Sequence, residues 1–278
     1  MQTFPVTIDG SNLFHRALIL ADAGAATLTD WFDSRVPQTF HVAAGDYRFY
    51  VDSGHFTEIM FSVTPNGAVQ FPPTFNTFLS LVGTNTLILN GFEVTIDARY
   101  LLGAGILFAG VSQGEHVNED WIRYETIRLL PAPNYVVAPG SGVQGGFGVK
   151  LDFTGKFDFN ARALPFLKGK DTKTLIFKGY PVLIDATAIT DWALLVLPAV
   201  WYNSTDTIGD SVPLAKNKVL MGNLLPLRTG DGYNFLTDQG LTTDYFFTID
   251  LKGVFQVSDP TKLSLDKFNR LTRITVLP

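Results

Sequence analysis

The chain has 278 residues, a formal net charge of −5, 46% apolar and 13% aromatic content, 23 Phe and no Cys. Without Cys there are no disulfides, thiolate metal sites or Cys nucleophile. The mildly acidic charge is dispersed and leaves no electrostatic footprint for nucleic acid or anionic lipid.

The first element read along the chain is Phe4-Pro-Val-Thr-Ile-Asp9, an alternating strand pattern. It recurs 88 residues later as Phe92-Glu-Val-Thr-Ile-Asp97 and again 88 residues on as Tyr180-Pro-Val-Leu-Ile-Asp185. Three copies at one spacing mark an internal repeat, and a repeat dictates how every other motif is read. Residues 1–10 therefore read as a repeat strand and not as a signal peptide, and a soluble protein of unassigned compartment is expected. Each Asp ends its strand before a small residue. There its carboxylate is placed to accept a hydrogen bond from the N–H two residues on, which makes Asp9, Asp97 and Asp185 turn formers and not metal ligands.

The segments that follow, Leu13–Leu20, Ala98–Leu107 and Ala186–Leu197, share one place in the repeat and read as strands opened by a short turn. The longest apolar stretch, Trp192 to Tyr202, is about half of the roughly 20 residues that cross a bilayer as a helix. Next come the segments in which the copies diverge most: Leu28-Thr-Asp30-Trp31-Phe-Asp33, Asn118-Glu-Asp120-Trp121-Ile-Arg123, and Trp201-Tyr-Asn-Ser-Thr-Asp206. Each reads as a polar loop pairing an aromatic residue with acids or amides. An indole face stacks on the apolar face of a pyranose, and carboxylate or amide oxygens accept from its hydroxyls. Asp30, Trp31, Asp120, Trp121, Trp201 and Asp206 are thus the candidate ligand-binding residues. The competing reading folds Trp31 and Trp121 inward as core anchors with the acids merely solvated.

Further on, Phe61-Ser-Val63, Val69-Gln-Phe71, Leu87-Ile-Leu89, Phe157-Asp-Phe159 and Ile274-Thr-Val276 alternate at period two, punctuated by Gly, Asn and Asp. Gly67 and Gly155 fall on each other at the 88-residue offset. Gly253 follows at 98, so the third copy carries ten extra residues, expected in the polar stretch 203–218. That copy stops at Pro278 before another Ile-Asp strand, and Phe4–Asp9 supplies one. The expected architecture is all-β, a single body over 1–278. It consists of three ~90-residue repeats (approximately 9–96, 97–184, and 185–278 completed by 1–8) with pseudo-threefold symmetry, closed by pairing of the N- and C-terminal strands. The alternative is a six-bladed β-propeller from six half-repeats of roughly 45 residues.

Motifs for chemistry are missing. His15, His41, His55 and His116 do not stand at ligand spacings. Gly140-Ser-Gly142 has no strand-to-helix context for a nucleophile elbow. The Gly142–Gly148 run lacks the Lys-Ser/Thr of a phosphate loop and reads as a β-turn. No catalytic residue, metal or cofactor is assigned. The expected function is a non-enzymatic, lectin-like carbohydrate-binding module with a glycan as ligand. A structural or assembly protein, forming a homo-oligomer or larger particle, is the alternative, and an enzyme with a site at the ring axis is the third. Neither nucleic acid nor a membrane span is expected.

Overall fold

The computed structural model describes residues 2–14, 17–22, 24, 28–29, 32–50, 59–101, 106–110, 118–138, 147–159, 167–169, 172–185, 193–196, 211–214, 225–227, 230–237, 240–250 and 253–277. The protein is all-β. The described residues include one 3-10 turn, Pro73–Phe75, and no α-helix, so no described helix is long and apolar enough to cross a membrane.

The strands fall into three sets of nine. The first is β1 (Thr3–Asp9), β2 (Ala17–Asp22), β3 (Phe32–Asp33), β4 (Gln38–Ala43), β5 (Gly45–Tyr50), β6 (Ile59–Val63), β7 (Val69–Gln70), β8 (Leu79–Val82) and β9 (Thr86–Leu89). The second is β10 (Phe92–Asp97), β11 (Ile106–Gly110), β12 (Asn118–Ile122), β13 (Tyr124–Leu129), β14 (Ala132–Ala138), β15 (Phe147–Leu151), β16 (Phe157–Phe159), β17 (Leu167–Lys168) and β18 (Thr174–Phe177). The third is β19 (Tyr180–Asp185), β20 (Ala193–Val196), β21 (Ser211–Leu214), β22 (Leu225–Leu227), β23 (Gly230–Thr237), β24 (Gly240–Ile249), β25 (Phe255–Val257), β26 (Leu263–Phe268) and β27 (Leu271–Val276).

Each set forms one four-stranded and one five-stranded sheet. The four-stranded orders are β4-β1-β9-β8, β13-β10-β18-β17 and β22-β19-β27-β26, and the five-stranded orders are β3-β2-β5-β6-β7, β12-β11-β14-β15-β16 and β21-β20-β23-β24-β25. Every pairing is antiparallel except one per set, where the Ile-Asp strand runs parallel to the last strand: β1 with β9, β10 with β18 and β19 with β27.

Alternation in the sequence sends one side of each strand inward. In the first set Val6, Ile8, Val42, Leu87 and Leu89 come from the four-stranded sheet. Leu18, Leu20, Phe49, Phe61 and Val63 come from the five-stranded one, and all are buried in the same cluster. Phe32 on β3 meets Phe40 on β4 edge-on at 5.1 Å, and the Tyr47 hydroxyl on β5 donates to the Ala43 carbonyl of β4 at 2.6 Å, so the two sheets form two layers.

One turn recurs in all three sets. The N–H groups of Gly67, Gly155 and Gly253 donate to the carbonyls of Thr64, Asp152 and Asp250 at 2.9, 3.0 and 2.9 Å. These glycines hold φ of +84°, +78° and +73°, the left-handed region that a Cβ disfavours. A Cβ there would also stand 2.5, 2.7 and 2.5 Å from ring carbons of Phe4, Phe92 and Tyr180, which cover the turn from the start of the Ile-Asp strand. The turns expected after that strand also form. Asp9 accepts from the Ser11 N–H at 2.9 Å and Asp97 from the Arg99 N–H at 3.1 Å. Strands β2, β11 and β20 follow, as read from the sequence.

Two expectations are corrected. The terminal strands do not pair: β1 lies between β4 and β9, and β27 between β26 and β19. The reason is the identity of the last strand. Leu271–Val276 is no truncated remnant. It takes the place of Thr86–Leu89 and Thr174–Phe177, pairing with the Ile-Asp strand of its own set, so no strand is missing. The six-bladed propeller is absent as well, because the sheets alternate between four strands with a parallel pair and five antiparallel strands.

The ten extra residues also divide. Trp121 and Val212 face Leu107 and Leu195 and are 91 residues apart, whereas Ile127 and Leu225 face Val94 and Val182 and are 98 apart. Three of the additions therefore precede these β21 positions, and seven lie between β21 and β22.

Candidate functional site

The six candidate residues are reached unevenly. Asp30, Trp31, Trp201 and Asp206 lie outside the described residues, as do His15, His55, His116 and Gly140–Gly142. Asp120 and Trp121 lie in β12, opposite Phe108 and Leu107. Residues 118–122 are thus an edge strand and not the loop their polarity suggested. An edge strand has only one neighbour to satisfy and tolerates charged residues. Phe32–Asp33 and Ser211–Leu214 form the matching edge strands β3 and β21, so the three divergent segments run into the same edge of each five-stranded sheet.

The first of these segments borders a cleft of about 760 Å³. Leu28 and Thr29 form its wall and are pinned to β2: the Leu28 N–H donates to the Leu20 carbonyl at 2.9 Å, and the Leu20 N–H to Thr29 Oγ1 at 3.0 Å. Strand β4 contributes Thr39, Phe40 and His41 to the lining, and the start of β5 contributes Asp46 and Tyr47. Asp22 adds a second carboxylate. Burial, and secondarily the nearby Asp22 charge, raise the Tyr47 hydroxyl above its ordinary pKa, so it stays protonated and committed to Ala43. The cleft thus carries carboxylate, hydroxyl and imidazole groups around the apolar Leu28 and Phe40, with Thr39 Oγ1 hydrogen-bonded to Thr7 Oγ1 at 2.9 Å. No group of three or more metal-ligating side chains occurs among the described residues.

A second crevice, of about 400 Å³, lies where the first strand set meets the second. The tight turn after β1, closed by the Leu13 N–H donating to the Gly10 carbonyl at 2.8 Å, presents Leu13 and Phe14 to β13. The Phe14 N–H donates to the Arg128 carbonyl at 2.9 Å. Leu13 is 5% exposed and lies over Gly91, where a Cβ would stand 2.7 Å from Leu13 Cδ2 and 3.0 Å from the Leu129 carbonyl. Burying such a leucine contributes about 2 kcal/mol. Beside it Phe75 stacks on Phe153 at 5.6 Å, and Phe78 contacts Phe92 at 5.4 Å. Arg128 is paired with Glu93 at 3.0 Å and Arg35 with Asp33 at 2.6 Å, so both cations of the crevice are held by carboxylates.

The sequence gives Leu13 only a place in a strand segment and His41 no ligand spacing, and Phe14, Gly91 and Asp22 carry no motif. The repeat offset carries a signal for the first of them, since Leu13, Leu101 and Ile189 stand 88 residues apart. Leu101 is also buried, at 3% exposure, after the same turn.

No protein-family model matches the chain, and no curated protein does. Among solved structures it is similar to two B repeat units of the collagen-binding protein of Staphylococcus aureus, at 11% identity over 100% of this chain and 74% of that one. The TM-score is 0.15.

Proposed function

We propose that the chain is a non-enzymatic assembly protein made of three tandem two-layer β units, 3–89, 92–177 and 180–276, repeated in sequence and docked in series. The observation that carries this reading is the junction. Leu13 and Phe14 of one unit close over Gly91 and the Arg128 carbonyl of the next, with four Phe rings alongside. Flexibly tethered ligand-binding domains have no need of a buried, shape-matched contact between units, whereas a protein that transmits a fixed spacing does. The unit boundary falls just before each Ile-Asp strand, because that strand pairs with the last strand of its own set.

The test is the association state of the purified chain by light scattering after size exclusion, followed by electron microscopy. Concentration-dependent oligomers or ordered particles are expected. A monomer at every concentration overturns the reading.

Carbohydrate binding stands as a second reading, supported by the cleft beside Leu28 and Thr29. Asp22, His41, Asp46 and Thr39 there offer hydrogen bonds suited to sugar hydroxyls, next in sequence to Asp30 and Trp31. It expects retention on a sugar resin or a glycan-array signal that Trp31→Ala removes without lowering thermal stability. Absence of binding to every sugar dismisses it.

A further inference from the structure

The 34 residues between Glu58 and Glu93 contain no Asp, Glu, Lys, Arg or His. They make up β6 to β9 of the first set. At the repeat offsets the same stretch holds ten charged residues in the second set, over 147–180, and eight in the third, over 245–278. Depletion of charge from one part of an otherwise charged surface is the compositional mark of a contact.

The difference is sharpest on the edge strands β8, β17 and β26. Their registers align Leu79-Ser-Leu-Val82 of β8 with Leu263-Ser-Leu-Asp266 of β26 and with Leu167-Lys168 of β17. Edge strands are kept from pairing with other chains by charged side chains, lysine above all. Strand β17 has Lys168, and β26 has Lys267 and Asp266, the latter bound to Arg273 at 2.5 Å. Strand β8 has instead Leu81, 37% exposed, and Val82, 61% exposed, followed by the exposed Gly83 and Thr84.

The backbone there is open as well. The Thr7 N–H donates to the Asn85 carbonyl at 2.9 Å, so Asn85 and Leu87 turn toward β1, and Thr86 and Ile88 turn toward β8. Thr86 and Ile88 face Val82 and Ser80. The N–H and carbonyl of Leu81 therefore point away from β9, and the described strands include none on that side.

We infer that this edge of β8, with the turn over 81–84, is where a second copy of the chain docks, antiparallel and related by a two-fold axis, with Leu81 opposite its own copy. The two Leu81 residues then exchange both N–H to carbonyl bonds, and each Val82 lies across from Ser80 of the partner subunit. A two-fold contact requires a patch to complement itself, and a patch without charge does so. A charged partner would give up its hydration and find no counter-charge on these strands. The inference rests on the assembly reading and names one face through which copies meet.

Hydrogen exchange read by mass spectrometry tests this on the native chain. Peptides covering 79–84 are expected to exchange at least about tenfold more slowly at high than at low protein concentration, while those covering 263–268 do not change. Val82→Lys gives β8 the kind of charge that guards β17, at a position exposed enough to leave the fold intact, which circular dichroism checks. It is expected to weaken self-association at least about tenfold in sedimentation velocity. If the native chain associates but 79–84 exchanges alike at both concentrations, or if folded Val82→Lys associates as the native chain does, the β8 edge is overturned while the assembly reading stands. A native chain monomeric up to about 1 mM, weaker than any useful contact, removes both.

Discussion

The ring of Phe92 fills the space that a side chain on Gly155 would need, its Cδ1 lying 2.7 Å from the Cβ position. Phe4 with Gly67 and Tyr180 with Gly253 repeat the relationship at 2.5 Å each. Glycine is required there twice over, by φ and by space. Gly155→Ala is expected to cost about 3 kcal/mol or more, from left-handed strain plus overlap with the ring. Gly83, with φ +66° and nothing within 4 Å of a Cβ, isolates the first cause, so Gly83→Ala should cost only about 1 kcal/mol. Urea unfolding of the two variants makes the comparison, and equal losses would show that the ring is not a constraint.

Tyr135 is fully buried and its hydroxyl donates to the Leu130 carbonyl at 2.6 Å. Tyr135→Phe keeps the ring and removes the donor. A loss of about 1 kcal/mol is expected, the usual net contribution of one such hydrogen bond. A neutral substitution would mean that water or another donor reaches Leu130.

Asp97 is buried at 5% exposure and accepts from the Arg99 side chain at 3.0 and 2.9 Å. Arg99, half exposed, also lies over the Tyr124 ring at 3.9 Å. The Arg99 side-chain hydrogen bond is the chief cause holding the Asp97 carboxyl below its ordinary range. A depressed carboxylate stabilises the fold above the unfolded value of about 3.9 and ceases to do so as pH falls through the folded value. Asp97→Asn should therefore be less stable than the native chain at pH 7 by about 1 kcal/mol, given screening at the exposed Arg99 end. The gap should close as pH falls below about 4. A gap that stays constant from pH 7 to 2.5 would assign the effect to shape alone.

Tyr180, 6% exposed, has its pKa pushed up to about 12, first by burial and then by the charge of Asp250. The folded state then holds this proton more tightly than the unfolded chain, whose tyrosines ionise near 10. Its contribution to stability is complete below about pH 10 and declines as pH rises toward 12. Difference absorbance at 295 nm between native protein and Tyr180→Phe should show this phenolate appearing only near pH 12. Ionisation near 10 would place Tyr180 in contact with water.

The hairpin joining β26 to β27 turns on Asn269 and Arg270, with φ of +48° and +68°. Asn suits this conformation, whereas an Arg in the left-handed region is strained by about 1 kcal/mol. Arg270→Gly is expected to raise stability by about 0.5 kcal/mol, the strain relieved less the entropy that glycine adds to the unfolded chain. A lower melting temperature would reveal a contact made by the Arg270 side chain.

Much of the β architecture could be read because alternation and a fixed offset are local properties of a sequence. The Ile-Asp strand, its Asx turn at Asp9 and Asp97, and the Gly67 and Gly155 turns each announce themselves within a few residues. The partner of β1 could not be read that way. Val42 and Leu87 are equally apolar, and only the completed sheet shows that β1 takes one strand on each side. For the same reason the alternation of Ile274-Thr-Val276 does not reveal that Leu271–Val276 pairs with the Ile-Asp strand of its own set. The edge position of Asp120 and Trp121 was obscured for a related reason: edge strands carry the polar composition of loops. The junction at Leu13 and Gly91 joins residues 78 apart, and its trace in sequence is the recurrence of apolar residues at 101 and 189.

The parallel pairing of β1 with β9 has a consequence for synthesis. A chain leaving the ribosome holds Phe4–Asp9 without its parallel neighbour until Thr86–Leu89 has emerged, so the four-stranded sheet is completed by the last strand made and not by the first. Such long-range closure is slow and is organised one domain at a time. Each later Ile-Asp strand begins three residues after the last strand of the preceding set, so every set is synthesised as one uninterrupted run before the next begins.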